Sequence, residues 1–502
     1  MISVKAPARR KTVAVICCGV ILFLAFLSFL SARWFVNVYG RIGFDSILYT
    51  LSADLGGVEP ELLTKYLLQA LAPAICATAL TVFLAFFRPH RKRGKYLKRS
   101  ESHKASILVC ILLALMLICA AAVDCELTDY MIDRLSDTSL YETYYADPGS
   151  VKLTFPAQKR NLIYIMLESM ETSYLSKDLG GAMDENLIPE LYHLADTNLC
   201  FSDSKLDVGG FHTTAGATWT IGSMVAQTAG IPLKTPTEDV NKYGSEGEDF
   251  LPGAITLTDI LHENGYYQTL MVGSDARFGG RKSYYSQHGM DEILDLYTAR
   301  QDGIIPKNYF VWWGMEDLHL FEYARQKLTE ISGKGQPFSF TMLTVDTHHV
   351  GGYQCELCKE SASGETYDQS ISCSSRQVAD FVEWIKSQPF YENTTIIIVG
   401  DHESMDNGYF QRVVESDYQR MLYNCFINIP TTAKRIHNRQ WAAVDLFPTT
   451  LASLGVTIEG DRLGLGTDLF SGRATLCEKY GFEIFNDELA KASTFYEEHF
   501  WK

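Results

Sequence analysis

The hydrophobic pattern changes character once along the chain. Before residue 124 it is dominated by three long apolar runs, at residues 12–30, 67–87 and 105–123, with Pro73 inside the second. Each is close to the ~20 residues that a helix needs to cross a bilayer, so three membrane helices are predicted. From Asn161 onward the runs shorten. Five of them read as buried strands: "NLIYIML" (161–167), "YYQTLMVG" (266–273), "PFSFTMLTV" (337–345), "TTIIIVG" (394–400) and "YNCFINIP" (423–430). They alternate with helical stretches, the pattern of parallel α/β units. The polar, mixed segment 124–160 reads as a short helix and a linker, and 475–502 as an amphipathic helical segment. The expected division is a membrane region (1–123), a linker (124–160), an α/β domain with a mostly parallel sheet (161–474) and a helical C-terminal segment (475–502).

Charge orients the membrane region. Lys5, Arg9, Arg10 and Lys11 precede the first run, and the basic stretch "RPHRKRGKYLKRSESHK" (88–104) separates the second from the third. Between the first two runs lie Asp45, Asp54, Glu59 and Glu61. Basic residues favour the cytoplasmic side, so the N-terminus and the 88–104 loop are expected there, and everything after Val123 outside. A cleaved signal peptide accounts less well for the first run, because two more runs follow and no small-residue cleavage site stands out. The net charge of -16 argues against nucleic acid, which wants a basic footprint. Of the 12 cysteines, Cys125, Cys200, Cys355, Cys358, Cys373, Cys425 and Cys477 lie beyond the runs. In an extracytoplasmic compartment a disulfide among Cys355, Cys358 and Cys373 is favoured over zinc, whose fourth ligand is missing from the local pattern.

Acid-base and metal-type side chains follow the first four strands. Glu168 follows the first, and Asp275 lies just past the second. Asp346, His348 and His349 follow the third, and Asp401 and His402 the fourth. Open parallel sheets bind ligands beyond the carboxyl ends of their strands, so these groups should meet on one edge. One such aspartate would merely cap a helix; four strands ending this way point to a site. Carboxylates with imidazoles suit a divalent cation such as Mn²⁺, Mg²⁺ or Zn²⁺. A hydroxyl to work beside it stands in "GGFHTTAGATWTIGSM" (209–224). The helix "TWTIGSMVAQTAGIP" should end near Gly230, with Pro232 as a stop. Thr218 at its start would sit where backbone N–H groups and the helix dipole favour an anion. A nearby cation would make its hydroxyl a nucleophile. The plainer alternative is that Thr218 only caps the helix.

These residues resemble the alkaline-phosphatase/sulfatase-type transferases of the extracytoplasmic space, specifically the lipoteichoic acid synthase and membrane phosphoglycerol transferase group. The resemblance rests on "LES" (167–169), "GATWTIGSMVAQTAGIPL" (216–233), "LTVDTHH" (343–349), "GDH" (400–402), "AVDLFPTTLASLG" (443–455) and "RLGLGTDLFSG" (462–472), in the family's order. It implies a sulfatase-like α/β/α domain behind a three-helix membrane region in the bacterial cytoplasmic (inner) membrane. It implies that Glu168, Thr218, Asp401 and His402 bind one metal, usually Mn²⁺, with Mg²⁺ and Zn²⁺ as alternatives. Thr218 would be the nucleophile of a phosphotransferase, and His348 would contact the substrate phosphate. Arg281 is similar in position to an arginine that contacts the phosphoglycerol group, with Arg277 as a rival and Asp275 as support, because this chain has Gly279 where the synthases carry an aromatic residue. The donor implied is phosphatidylglycerol, and the acceptor an extracytoplasmic glycan or glycerophosphate polymer. A phosphoethanolamine transferase on lipid A or glycans is the alternative. A sulfatase would need a C/S-x-P-x-R pattern, which is absent around 213–220. Asp445, in the late "DLFPT" motif, is expected to be a structural N-cap, and Trp312 and Trp313 either face the substrate or pack in the core.

Overall fold

The computed structural model describes residues 6–40, 43–44, 47–48, 60–87, 91–92, 95–96, 99–234, 249–360, 364–415 and 417–502. They fall into two compact units, with the boundary between Met131 and Ile132. The basic 88–104 loop lies partly outside the described residues.

The N-terminal unit is helical: α1 (Ala6–Tyr39), α2 (Ala72–Phe86) and α3 (Arg99–Asp124). Three stretches are long and apolar enough to cross a membrane, Thr12–Tyr39, Leu63–Phe86 and Lys104–Asp124. Pro73 in the second lacks an N–H and would clash with the preceding turn of a regular helix. The chain answers with a π-helical turn, Leu67–Leu71, immediately before α2. Small side chains mediate helix contact: Cys18, Ala25, Cys110 and Ala114 are buried together with Leu22, while Leu24, Phe83 and Met116 stay exposed. Close approach through small residues is how helices associate when the surroundings are as apolar as their own side chains.

The second unit is built on a seven-stranded sheet: β1 (Asn161–Leu167), β2 (Gly210–Phe211), β3 (Tyr267–Val272), β4 (Glu292–Leu294), β5 (Phe338–Leu343), β6 (Thr394–Gly400) and β7 (Leu422–Ile427). Its spatial order is β2-β7-β6-β1-β5-β3-β4. The inner strands are parallel, with Asn161 beside Thr394 and Leu162 beside Ser339. β7 runs antiparallel to β6 and β2 antiparallel to β7. Alternate residues of β1 enter two different cores. Leu162, Tyr164 and Met166 meet helix α4 (Thr220–Ala229) and helix α7 (Leu446–Ser453), while Ile163, Ile165 and Leu167 meet the helix Asp317–Ser332 and α6 (Thr366–Lys386). A sheet covered on both faces explains the unbroken apolar runs.

Residues 132–160, read from sequence as the end of a helix and a linker, are built into this unit. Leu140 and Tyr141 are core residues, and Leu153–Thr154 pairs antiparallel with Thr457–Ile458. The C-terminal segment also packs inward, through Phe485, Leu489, Tyr496 and Phe500. Asp445 is structural, but it does not cap α7: no side-chain cap bond is made there. Its carboxylate accepts from the Ala442 and Thr467 backbone N–H groups at 3.0 and 2.8 Å, tying the preceding turn to a late hairpin. Burial lifts its pKa to about 7. Asp445→Ala strands two buried donors, and should cost about 2–4 kcal/mol in urea unfolding. A loss below about 1 kcal/mol would mean that water replaces the carboxylate.

Candidate metal centre

The sheet order decides which strand-end residues can meet. β6 and β1 are neighbours, so the turns after them lie side by side. Glu168, Asp401 and His402 are 2, 0 and 1 % exposed. One donor atom from each lies within 4.8 Å of the others. His402 Nε2 is 3.4 Å from both Glu168 Oε1 and Asp401 Oδ2.

The surroundings hold these groups in place. Asp401 Oδ1 accepts from the Ser169 and His402 backbone N–H groups at 2.8 and 2.7 Å. Ser169 adopts a positive φ of 53°, an uncommon turn for a non-glycine residue, and its hydroxyl donates to Glu168 Oε1 at 2.9 Å. The Glu168 backbone N–H donates to Thr344 at 2.9 Å, and Thr347 donates to the Glu168 carbonyl. Behind the turn, the fully buried Glu171 accepts from Arg420 Nε at 2.8 Å and from the Ser404 N–H at 2.8 Å.

Two features fit a cation. Asp401 Oδ2 is buried with no hydrogen-bond partner among the described residues. His402 Nδ1 lies 2.8 Å from the Glu403 carbonyl, so Nδ1–H donates there and Nε2 offers its lone pair. The electrostatics agree. Burial works to raise Glu168, but His348 and His402 hold it below the usual carboxylate range. Burial, reinforced by Glu168, lifts Asp401 to about 7. Burial opposes a charged His402, yet Asp401 and Glu168 outweigh it and lift the imidazole to about 10. Two buried carboxylates thus favour positive charge at this point, supplied by the His402 imidazolium or by a divalent cation that takes the place of its Nε2 proton.

Helix α4 is docked against the same turn. Ser223 donates to the Asp401 carbonyl, Gln227 to the Gly400 carbonyl at 3.3 Å, and Tyr164 to Gln227 at 2.8 Å. The small residues of 209–224 let the loop before α4 pack closely on the helix and on the segment that follows it. A Cβ on Gly216 would lie 2.7 Å from Pro232, and one on Gly222 would lie 2.5 Å from the Gly216 carbonyl oxygen. The helix ends at Gly230, in the left-handed region with φ 65°. It begins at Thr220, with an extended Trp219 as N-cap. Thr218 is therefore not the cap; it is half-buried, one residue upstream. Trp219 belongs to the hydrophobic core. Thr220 Oγ1 lies 3.4 Å from His402 Nε2, a placement the sequence reading missed. Its only sequence signal was the T-x-T spacing.

His348 and His349 follow β5, next to β1. His348 Nδ1 lies 2.7 Å from the His349 carbonyl, which leaves Nε2 for other work. Its ring tilts against Trp313 at 4.5 Å, and Trp313 meets Phe278 at 5.7 Å. Trp312 stacks on Tyr353. Burial lowers the His348 pKa, against the pull of Glu168. The two candidate arginines are placed differently. Arg281, the first residue of α5 (Arg281–Gln287), is 5 % exposed. It donates to Ser274 Oγ at 2.9 Å and to the Asp275 and Phe278 carbonyls at 2.7 and 3.0 Å. Arg277 is exposed, pairs with the Asp275 carboxylate at 2.7 Å and lies over Tyr297. Asp275 supports Arg281 through its backbone carbonyl, while its carboxylate is engaged by Arg277.

Comparison with known proteins yields a match of residues 160–456 to the family model "Sulfatase". Phosphoglycerol transferase I of Escherichia fergusonii is 29% identical over 440 residues, covering 86% of this chain and 53% of that protein. Phosphoglycerol transferase I of Salmonella choleraesuis is 30% identical over 441 residues, with the same coverage. The chain thus spans about half the length of these curated relatives. Among solved structures, the lipoteichoic acid synthase LtaP from Listeria monocytogenes aligns at 18% identity and TM-score 0.47, over 66% of this chain and 81% of that one. The lipooligosaccharide phosphoethanolamine transferase EptA from Neisseria meningitidis aligns at 13% identity and TM-score 0.49, over 88% and 84%. The family model covers more than half of the chain, and with Glu168, Asp401 and His402 gathered at its sheet edge this protein belongs to the sulfatase family.

Proposed function

We propose that the chain is a membrane-anchored phosphotransferase that moves glycerophosphate from phosphatidylglycerol to a hydroxyl of an extracytoplasmic glycan or glycerophosphate polymer. The observation that carries this reading is the buried Glu168–Asp401–His402 set beside the start of α4. The similarity to phosphoglycerol transferases I favours glycerophosphate over sulfate as the transferred group. The charge pattern supports a cytoplasmic N-terminus and a sheet-bearing unit outside a bacterial inner membrane. The apolar helices keep the site near a donor that cannot leave the bilayer.

Glu168, Asp401 and His402 would hold a divalent cation, most simply Mn²⁺, with Thr218 beside them. When bound, such a cation lowers the pKa of the Thr218 hydroxyl and offsets charge on the phosphate. Thr218 Oγ1 attacks phosphorus, the new O–P bond forms, and the bond to the diacylglycerol oxygen breaks. His348 Nε2 takes part in moving the hydroxyl proton to that leaving oxygen. Arg281, fixed by its two carbonyl partners, faces the phosphate charge. An acceptor hydroxyl then attacks the phosphorus of the glycerophospho-threonine, its proton passes by way of His348 to the departing Thr218 Oγ1, and the bond from phosphorus to Thr218 breaks.

The purified chain with Mn²⁺ and labelled phosphatidylglycerol should release diacylglycerol, and Glu168→Gln should not. Consumption of phosphatidylethanolamine instead would replace this reading by the phosphoethanolamine one. No reaction with either lipid, in the presence of a glycan acceptor and with metal bound, would end it. Arg281→Lys should lower kcat/KM for the donor about 10²-fold, since lysine loses the planar fork. Arg277→Lys, at the exposed ion pair, should change it by less than about threefold.

A further inference from the structure

A second cluster of metal-type ligands follows the His348 loop along the chain. Cys355 immediately precedes a 3-10 turn (Glu356–Glu360) that contains Cys358, and Cys373 lies in α6. All three are buried, at 5, 3 and 1 % exposure, and none is in a disulfide. Cys355 Sγ is 3.7 Å from Cys358 Sγ and 3.7 Å from Cys373 Sγ, and the three sulfurs lie within 4.8 Å of one another. A disulfide would join one pair and leave the third sulfur aside; here Cys355 is equally close to both. Tetrahedral thiolates at ~2.3 Å from zinc stand about 3.7–3.8 Å apart.

We propose that Cys355, Cys358 and Cys373 form a structural zinc site of three thiolates, separate from the Glu168 centre. Three thiols release their protons to solvent and bind the ion through sulfur. The fourth position falls to water or to the Tyr353 carbonyl, which lies 3.9 Å from Cys358 Sγ. Soft sulfur ligands select zinc over manganese or magnesium. The surroundings suit anionic sulfur: Gln377 Nε2 lies 3.5 Å from Cys373 Sγ and 3.8 Å from Cys355 Sγ, placed to donate to both. Cys-x-x-Cys is a recurrent zinc spacing, and the helix supplies the third ligand. The site would pin the loop that carries His348. Tyr353 N–H donates to the Asp346 carbonyl at 2.7 Å, Gly351 N–H donates to Asp406 at 2.8 Å, and Arg376 on α6 donates to the Leu357 carbonyl at 2.9 Å.

The test uses the full-length chain purified without reductant. A Glu168→Ala/Asp401→Ala variant, stripped of the first centre, should retain about one zinc per chain. Cys373→Ser should lose that zinc. Because Cys373→Ser can also fail for lack of folding, cobalt exchange into the otherwise unaltered double variant gives an independent reading. It should show a sulfur-to-cobalt charge-transfer band in the near ultraviolet. Mass spectrometry should find the three thiols unlinked and alkylated only after chelation. A Cys355–Cys358 or Cys355–Cys373 disulfide in the native protein overturns the proposal. So do three free thiols with no zinc, zinc that survives Cys373→Ser, or cobalt that binds without the sulfur band.

Discussion

Thr218→Ala is expected to lower transfer by at least about 10³-fold, the scale on which removal of a nucleophile acts. The fold should survive, because Thr218 is half-buried and the neighbouring Trp219 supplies the anchorage to the core. Thr218→Ser should keep measurable activity, since it retains the hydroxyl. The decisive comparison is Thr220→Ala. Thr220 Oγ1 lies 3.4 Å from His402 Nε2, so two hydroxyls two residues apart compete for the role. If Thr218 is the nucleophile, Thr220→Ala should cost only about tenfold, the loss of a group that orients a metal-ligating histidine. Mass spectrometry after donor alone should place a glycerophosphate on Thr218. Should Thr218→Ala keep a tenth of the rate while Thr220→Ala is inert, the nucleophile is Thr220.

Arg420→Met is expected to destabilise the sheet-bearing unit by about 3–5 kcal/mol, because it leaves a charged carboxylate buried without its cation. Glu171 is fully buried and accepts from Ser173 at 2.6 Å, from the Ser404 N–H and from Arg420. Arg420 also donates to the Ser404 carbonyl at 2.7 Å and lies over the Phe410 ring at 3.6 Å. The pair therefore braces the turn that presents Asp401 and His402. Loss of that brace should weaken divalent-cation binding at the proposed centre by about 10–100-fold, as for other groups that orient metal ligands. Adding Glu171→Gln to Arg420→Met should recover part of the stability. Urea unfolding and titration calorimetry read the two effects. A single variant as stable as the parent, or a double variant no better than the single, would show that the buried carboxylate is not charged against Arg420.

The strands that carry the site were legible because a strand buried on both faces is one continuous apolar run, and the first charged residue after it marks its end. Glu168 and Asp401 follow β1 and β6 in this way. The direction of β7 was not legible, since "YNCFINIP" is equally apolar for a parallel or an antiparallel neighbour. Residues 132–160 read as linker because their few apolar residues, Leu140 and Tyr141 among them, are too sparse to show a period. The Glu171–Arg420 pair spans 249 residues, and no local spacing announces such a partner. Arg277 and Arg281 were indistinguishable by spacing. The left-handed Gly279 and Gly280 separate them, turning the chain so that Arg281 starts a helix and is buried.

The strand order has a consequence for biosynthesis. β1 is the first long strand of the sheet to be made, yet its two neighbours, β5 and β6, come much later in the chain. The Ser169–Asp401 contact bridges 232 residues. Both edges of β1 lack their native partners until Phe338–Leu343 is made, and until the ribosome has passed residue 402 one edge still lacks its partner and Glu168 has neither Asp401 nor His402 beside it. Such an apolar strand is a template for wrong pairing, so holding chaperones matter most during that interval. The same delay bears on the candidate metal centre. A chain stalled before residue 400 lacks two of the three groups that would hold a cation beside Glu168.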